Sequence, residues 1–376
     1  MDAPKTLSVQ SPDWTWLSQY FTKSLLAARP YKLDAPQNIV IKLDQNESPW
    51  DWPRALKEKI AKRLVEEEWN RYPDPMGSEV TQGLSRYLGI SPDCILTSSG
   101  SNHLITLILE GLAKQLLGKL VIARPSFPLF ESHSQYLDIP YETWELDENF
   151  QYDLKKLPEL PDGSMVIFAS PNNPTGNSLA KKDFRDLLAR YPKVLFLADE
   201  AYYEFDDDPY TDLISEFGNL LILRTLSKTM GAAGVRLGYA IGSPELIKNL
   251  GKLRVPFLLN HFTLAAAQTI FDDPEMRAFM DRNVANARSE RERMFKNLVP
   301  LATHQKVKVY NSKANFLLLR WPNQEACQLT YQRLMELGIQ VRNISGGPGL
   351  FGCLRVTIGL PKENDAFVEA MKSILR

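Results

Sequence analysis

The chain reads as an α/β protein: a large domain built on a mostly parallel, doubly wound sheet, followed by a smaller α+β domain. Three observations predict this. Short apolar runs of buried-strand type alternate with helix-length segments from about residue 45 to 250. Around 250 the alternation gives way to a polar helical stretch, about 262 to 298, interrupted at Pro274. A strand, a helix, two more strands and a terminal helix then follow. The expected division is an N-terminal arm over 1–44, a large domain over 45–255 and a small domain over 256–376.

Residues 1 to about 30 are aromatic, polar and aperiodic, which predicts an extended arm laid over a surface. PRALKEKIAKRLVEEEW (53 to 69) predicts a helix, with Pro53 near its first turn and Leu56, Ile60 and Leu64 four apart. SNHLITLILEGLAKQLL (101 to 117) predicts a second. The runs KLVIAR (119 to 124), SMVIFAS (164 to 170), KVLFLADE (193 to 200), NLLILRTLS (219 to 227) and GYAIG (238 to 242) are nearly continuous in apolar residues, as strands covered on both faces are. In the small domain NFLLLR (315 to 320), IQVRN (339 to 343) and CLRVTIG (353 to 359) predict strands, and QEACQLTYQRLMELG (324 to 338) a helix.

Composition narrows the function classes. Lys and Arg number 44 against 45 Asp and Glu, for a net charge of −1, and no basic stripe stands out of the kind that nucleic-acid backbones attract. Cys94, Cys327 and Cys353 are widely spaced and form no CxxC, which supports neither a disulfide framework nor a zinc ribbon. None of the four histidines has the i, i+4 spacing of a helical zinc site, so no metal is expected. The start, MDAPKTLSVQSPDWTW, lacks a basic and apolar leader pattern, and no apolar run reaches the roughly 18 residues of a membrane span. A cytoplasmic protein is expected.

Doubly wound sheets bind ligands beyond the carboxyl ends of their strands, so the residues at those ends carry the functional reading. SMVIFAS runs into PNNPTG with Asn173. KVLFLA runs into DEAYY with Asp199 and Tyr202. NLLILR runs into TLSK with Thr225, Ser227 and Lys228, and Arg236 follows in AGVRLGY. TSSGSNH (97 to 103) is a small, glycine-containing turn opening a helix, whose free N–H groups suit a phosphate. Each has an ordinary structural reading too: a plain turn, a helix cap, a tight Asn-Pro-Thr-Gly turn. Taken in order, an amine, a carboxylate, an amide and a phenol, and a phosphate cup are the protein groups that pyridoxal phosphate needs.

Here the chain resembles the fold-type I pyridoxal-phosphate aminotransferases. The likeness spans about residues 35 to 376, through SPNNPTG, ADEAY, TLSK with AGVRLGY, and CLRVTIG. Within that superfamily it is most similar to the histidinol-phosphate aminotransferases, through LDQNESPW (43 to 50), RYPDP (71 to 75), ANFLLLR (314 to 320) and VRNISGGPGL (341 to 350). The resemblance implies that Lys228 bonds covalently to pyridoxal 5'-phosphate and then moves the substrate proton. Asp199 would pair with the ring nitrogen, Asn173 and Tyr202 would hold the ring oxygen, and Phe127 would stack on the ring. Ser101, Asn102, Thr225, Ser227 and Arg236 would bind the phosphate, and Tyr72 would reach the phosphate of the neighbouring subunit, making a homodimer with shared active sites. Arg355 and Arg342 would take the anionic groups of small-molecule substrates, Asn46 would line the same site, and Tyr20 would cover it.

Two departures from the family pattern stand out. Thr229 and Met230 follow Lys228 where a small residue and an aromatic are usual, and His103 stands where an acidic residue commonly follows the phosphate turn. The implied reaction interconverts histidinol phosphate and 2-oxoglutarate with imidazole acetol-phosphate and glutamate. Threonine-phosphate decarboxylation and aromatic amino-acid transamination are the alternatives on the same fold. A DNA-binding regulator is not expected, because the residues ahead of the core carry no basic helical pattern.

Overall fold

The computed structural model describes residues 15–28 and 38–375. Within them the strands are β1 (Ile41–Leu43), β2 (Ile95–Ser98), β3 (Leu120–Arg124), β4 (Tyr141–Glu145), β5 (Met165–Ala169), β6 (Leu195–Asp199), β7 (Leu220–Thr225), β8 (Gly238–Gly242), β9 (Lys308–Tyr310), β10 (Phe316–Arg320), β11 (Ile339–Asn343) and β12 (Cys353–Thr357). They form a seven-stranded sheet in the order β2-β8-β7-β6-β5-β3-β4 and a five-stranded sheet in the order β1-β11-β12-β10-β9.

In the larger sheet every pair from β7 through β6, β5 and β3 to β4 is parallel, and β8 is antiparallel to both its neighbours. The carboxyl ends of β2, β3, β5, β6 and β7 therefore share one edge. The apolar runs read from the sequence are these central strands, and β5, β7 and β8 are buried along their whole length. One face packs the helix Ser101–Gly111 through Leu104, Leu107 and Ile108. The other buries Phe168, Phe184 and Phe196 against one another.

The smaller sheet packs on the helix Pro361–Ile374 and on the far half of the 31-residue helix Pro274–His304. That long helix joins both lobes: Met276, Phe279 and Met280 lie in the large core, whereas Met294, Leu298 and Ala302 lie in the small one.

Two boundaries differ from the sequence expectation. Residues 41–43, placed in the arm, form β1 and pair in parallel with β11, so the chain enters through the small lobe before it builds the large one. The helix His261–Asp272, placed in the small domain, buries Ala265, Ala266, Ala267 and Ile270 in the large core with Leu56, Ile60, Val80 and Leu84. A strand of three residues has no readable period, and the small alanine stripe is masked by the polar helix that follows. No described helix is long and apolar enough to cross a membrane.

Candidate active site

β6 ends on Asp199, whose Oδ1 accepts the N–H of Ala201 at 2.9 Å. Burial pushes this carboxyl up to about 7; the Ala201 N–H and Lys228 pull against that, and Glu200 adds to it. On the neighbouring strand β7, the turn after Thr225 carries Lys228, whose Nζ donates to the Gln45 carbonyl at 3.0 Å. Burial draws the Lys228 amine down to about 8, with Arg355 and Arg236 acting the same way and Glu47 and Asp199 opposing. A buried carboxyl and a buried amine, both shifted toward neutral pH, thus lie at one sheet edge.

Tyr202, just beyond Asp199, is buried against Phe316 in an edge-on contact at 5.3 Å. Its hydroxyl accepts from Asn46 Nδ2 at 2.9 Å, which leaves its own proton to donate elsewhere. Burial also raises the phenol, so it stays protonated. Asn46 sits at a turn with φ of 54°, and its N–H donates to Thr357 Oγ1 at 2.9 Å while Asn315 Nδ2 donates to its carbonyl at 3.1 Å. The short linker after β1 is thereby fixed to the small lobe and aimed at Tyr202.

Arg355 on β12 bridges the lobes. Its Nη1 donates to Asn173 Oδ1 at 2.6 Å and its Nη2 to the Asp44 carbonyl at 2.6 Å, with the guanidinium 5.4 Å from the centre of the Phe316 ring. Arg342 on β11 is its cross-strand partner. Asn173, Tyr202, Asn46, Arg355 and Lys228 thus meet in one cleft.

The glycine-containing turn expected to take a phosphate lies at the end of β2. Ser101 opens the helix Ser101–Gly111, with Gly100 ahead of it at φ of 83°. A methyl group on Gly100 would stand 2.6 Å from Arg236 Nη2, and one on Gly238 would stand 2.3 Å from the Ser101 nitrogen. Glycine at these two places lets β8 and the arginine close onto the helix start. Thr225 Oγ1 donates to Ser227 Oγ at 3.0 Å on the adjoining turn, and Asn102 is exposed beside Ser101. His103 holds the turn, its Nδ1 2.7 Å from Ser98 Oγ.

Phe127 leads the helix Pro128–Tyr136, edge-on to Phe130 at 5.7 Å and half-buried. Its loop is braced by Asn172, which sequence reasoning passed over although it stands beside Asn173 in SPNNPTG. Asn172 accepts from Ser126 Oγ at 2.7 Å and donates to the Pro125 carbonyl at 2.9 Å. Trp52 was also missed; its Nε1 donates to the Met230 carbonyl at 2.5 Å, so the departure at Met230 is accommodated by a fully buried side chain. Both act through contacts distant in the chain, which no local pattern encodes.

Two expected site residues are largely exposed within one chain. Tyr72 is 80% exposed and stacks on Phe257 at 4.5 Å. Tyr20 is 71% exposed, edge-on to Trp16, on a segment anchored to the large lobe by Ser24 Oγ donating to Asp138 Oδ1. The expected amino-terminal cover rests in part on residues outside those described. Among the described residues no group of His, Cys, Asp and Glu could hold a metal ion.

Comparison with known proteins matches this geometry to a family. Residues 38–371 fit the sequence profile described as Aminotransferase class I and II. The chain is 35% identical over 363 residues to a histidinol-phosphate aminotransferase of Chlorobium phaeovibrioides, covering 95% of this chain and 98% of that protein. Its fold superposes on the histidinol-phosphate aminotransferase of Sinorhizobium meliloti, solved in complex with pyridoxal-5'-phosphate, with a TM-score of 0.78 at 22% identity, over 95% of this chain and 97% of that one. The L-threonine-O-3-phosphate decarboxylase of Porphyromonas gingivalis also shares the fold, with a TM-score of 0.71 at 23% identity, over 89% of this chain and 99% of that one.

Proposed function

The chain belongs to the class I and II aminotransferase family, and from that premise we propose that it is a pyridoxal 5'-phosphate-dependent histidinol-phosphate aminotransferase. It passes the amino group of glutamate to imidazole acetol-phosphate, and the reverse, in two half-reactions. The observation that carries the activity is the meeting of the Lys228 amine, the Asp199 carboxyl and the Arg355 guanidinium in one cleft. The choice of substrate rests on the end-to-end likeness to the Chlorobium protein.

The residues fit the cofactor. The Gly100 and Gly238 positions leave a helix start that only backbone and Arg236 crowd, suited to a phosphate. Phe127 is half-buried, and Asp199 is a buried carboxyl with no cationic partner in bonding contact. When bound, the cofactor supplies an electron-withdrawing ring that stabilises negative charge at the substrate carbon. Asp199 holds a proton at the ring nitrogen, and Asn173 and Tyr202 orient the ring oxygen. Ser101, Asn102, Thr225, Ser227 and Arg236 bind the phosphate.

Lys228, with its amine drawn to about 8, is unprotonated in an appreciable share of molecules at pH 7. An ordinary lysine would be so in fewer than one in a thousand. With the cofactor bound, that amine would take the proton from the substrate's Cα and return it two atoms away, at the cofactor's C4′. Arg355 and Arg342 face each other across the strand pair, where like charges repel. An anion between them removes that repulsion, whether the phosphate of histidinol phosphate or the carboxylate of glutamate. Asn46 keeps Tyr202 in place, and Tyr20 belongs to the arm proposed to cover the cleft.

Tyr72 stacks on Phe257, and Trp69, Met76, Val255 and Phe262, near these two in the sequence, are exposed apolar residues as well; we take them together as one face. We assign this face to a homodimer in which Tyr72 reaches the phosphate of the neighbouring site.

The test of the reaction type is direct. Holoenzyme incubated with threonine phosphate and 2-oxoglutarate is expected to release no carbon dioxide above background, while histidinol phosphate yields glutamate. Carbon dioxide as the main product would replace transamination by decarboxylation.

A further inference from the structure

Lys228 borders a small recess at the junction of the lobes, walled also by Trp50, Phe205, Thr229, Asn283 and Asn315. Asn283 comes from the long helix that joins the two cores, Asn315 from the residue ahead of β10, and Thr229 from the turn that carries the lysine. Asn283, Asn315 and Thr229 are 4%, 3% and 2% exposed. Asn283 Nδ2 and Asn315 Oδ1 are shut off from solvent and lack a hydrogen-bond partner of good geometry, while Thr229 Oγ1, equally shut off, lies within reach of the Glu204 carboxyl. The Asn315 amide cannot be reversed without loss, because its Nδ2 already donates to the Asn46 carbonyl at 3.1 Å.

Buried polar groups in native proteins are paired with protein or with ordered water. The groups here select among ligands. A cation would face the Lys228 amine on the recess wall, and an anion would face the Asn315 carbonyl. Only a small neutral molecule that both donates and accepts matches an amide N–H, a carbonyl and a hydroxyl together. The recess has room for about one water molecule.

We propose that this recess is a built site for one ordered water, which joins Asn283 and Asn315 to the Thr229 hydroxyl and so positions the turn that presents Lys228. Asn283 is then a positioning residue. Thr229, where the family usually has a small side chain, supplies the hydroxyl, and it also faces the buried Glu204 carboxyl. The water's presence stands on the geometry alone; its bearing on catalysis rests on the proposed role of Lys228.

The experiment pairs high-resolution crystal structures of the full-length holoenzyme and Asn283→Leu with a pH titration of the holoenzyme's visible absorbance, which follows the proton on the Lys228 nitrogen. The parent is expected to show one water within hydrogen-bond distance of Asn283 and Asn315, absent in Asn283→Leu. The midpoint in Asn283→Leu is expected to fall by about half a pH unit or more, because leucine removes polar solvation from the charged form. The charges that face the amine, Arg355, Arg236, Glu47 and Asp199, are unchanged by this variant. Asn283→Ser, which leaves room for water and keeps a hydroxyl, restores the parent midpoint. An empty recess in the parent overturns the proposal whether or not the variant folds, as does an unshifted midpoint in Asn283→Leu. Water and shift both present in an enzyme inactive toward histidinol phosphate support the site and refute the substrate assignment instead.

Discussion

Lys228 and Asp199 carry the account at the scale of single residues. Replacing Lys228 with Ala would remove both the proposed covalent anchor and the proposed base, so turnover is expected to fall by about 10³-fold or more. A steady-state assay with glutamate checks this, and a near-normal rate would displace Lys228 from its role. Asp199 gives a pH signature. Its folded-state carboxyl is raised to about 7, so the native protein keeps that proton to higher pH than the unfolded chain does. Stability from this group is present in acid and is lost as pH rises through about 7. In Asp199→Asn that slope disappears: between pH 5 and 8 the melting temperature of the cofactor-free variant falls less than the parent's, by on the order of a few degrees. Parallel melting profiles would show that Asp199 does not titrate in this window. At this scale the sequence was informative where chemistry is isolated, as with a lysine set among Leu226, Met230 and Gly231. It was silent on the Arg355–Asn173 contact, whose partners lie 182 positions apart.

At the scale of elements, the start of the helix Ser101–Gly111 is the proposed phosphate site. Gly100 has φ of 83°, and a side chain there meets Arg236. Gly100→Ala therefore costs about 1–3 kcal/mol in backbone strain and displaces the guanidinium from the helix start. Cofactor affinity is expected to drop at least about 10-fold, read by absorbance titration, with the far-ultraviolet dichroism unchanged. The central strands were legible because burial on both faces makes them continuous apolar runs. β4, whose residues Tyr141–Glu145 alternate at the sheet edge, and β1 and β9, three residues each, carry no such run. Their pairing comes from the tertiary sheet, not from local pattern.

The whole molecule adds what no single chain displays. Tyr72 is exposed on its own chain and stacks on Phe257, and Trp69, 73% exposed, and Phe262 are exposed apolar residues near these two in the sequence. Exposed apolar patches of this kind mark contact surfaces. Phe262→Asp is expected to shift the protein toward monomer in sedimentation and to weaken cofactor binding in parallel, because the neighbouring phosphate contact is lost. A monomer that retained full affinity would separate Tyr72 from the cofactor. The division into lobes was readable from the change in periodicity near 250, but the place of the helix His261–Asp272 was not, since its alanine stripe gains meaning only against Leu56 and Leu84.

The central claim is that one cleft accepts two different anionic amines in alternating half-reactions. A single-turnover absorbance scan of the holoenzyme, mixed separately with histidinol phosphate, glutamate, phenylalanine and threonine phosphate, tests it most directly. The predicted result is rapid conversion of the visible cofactor band by histidinol phosphate and by glutamate, with the other two slow. Conversion by phenylalanine or threonine phosphate while histidinol phosphate left the band unchanged would contradict the substrate assignment.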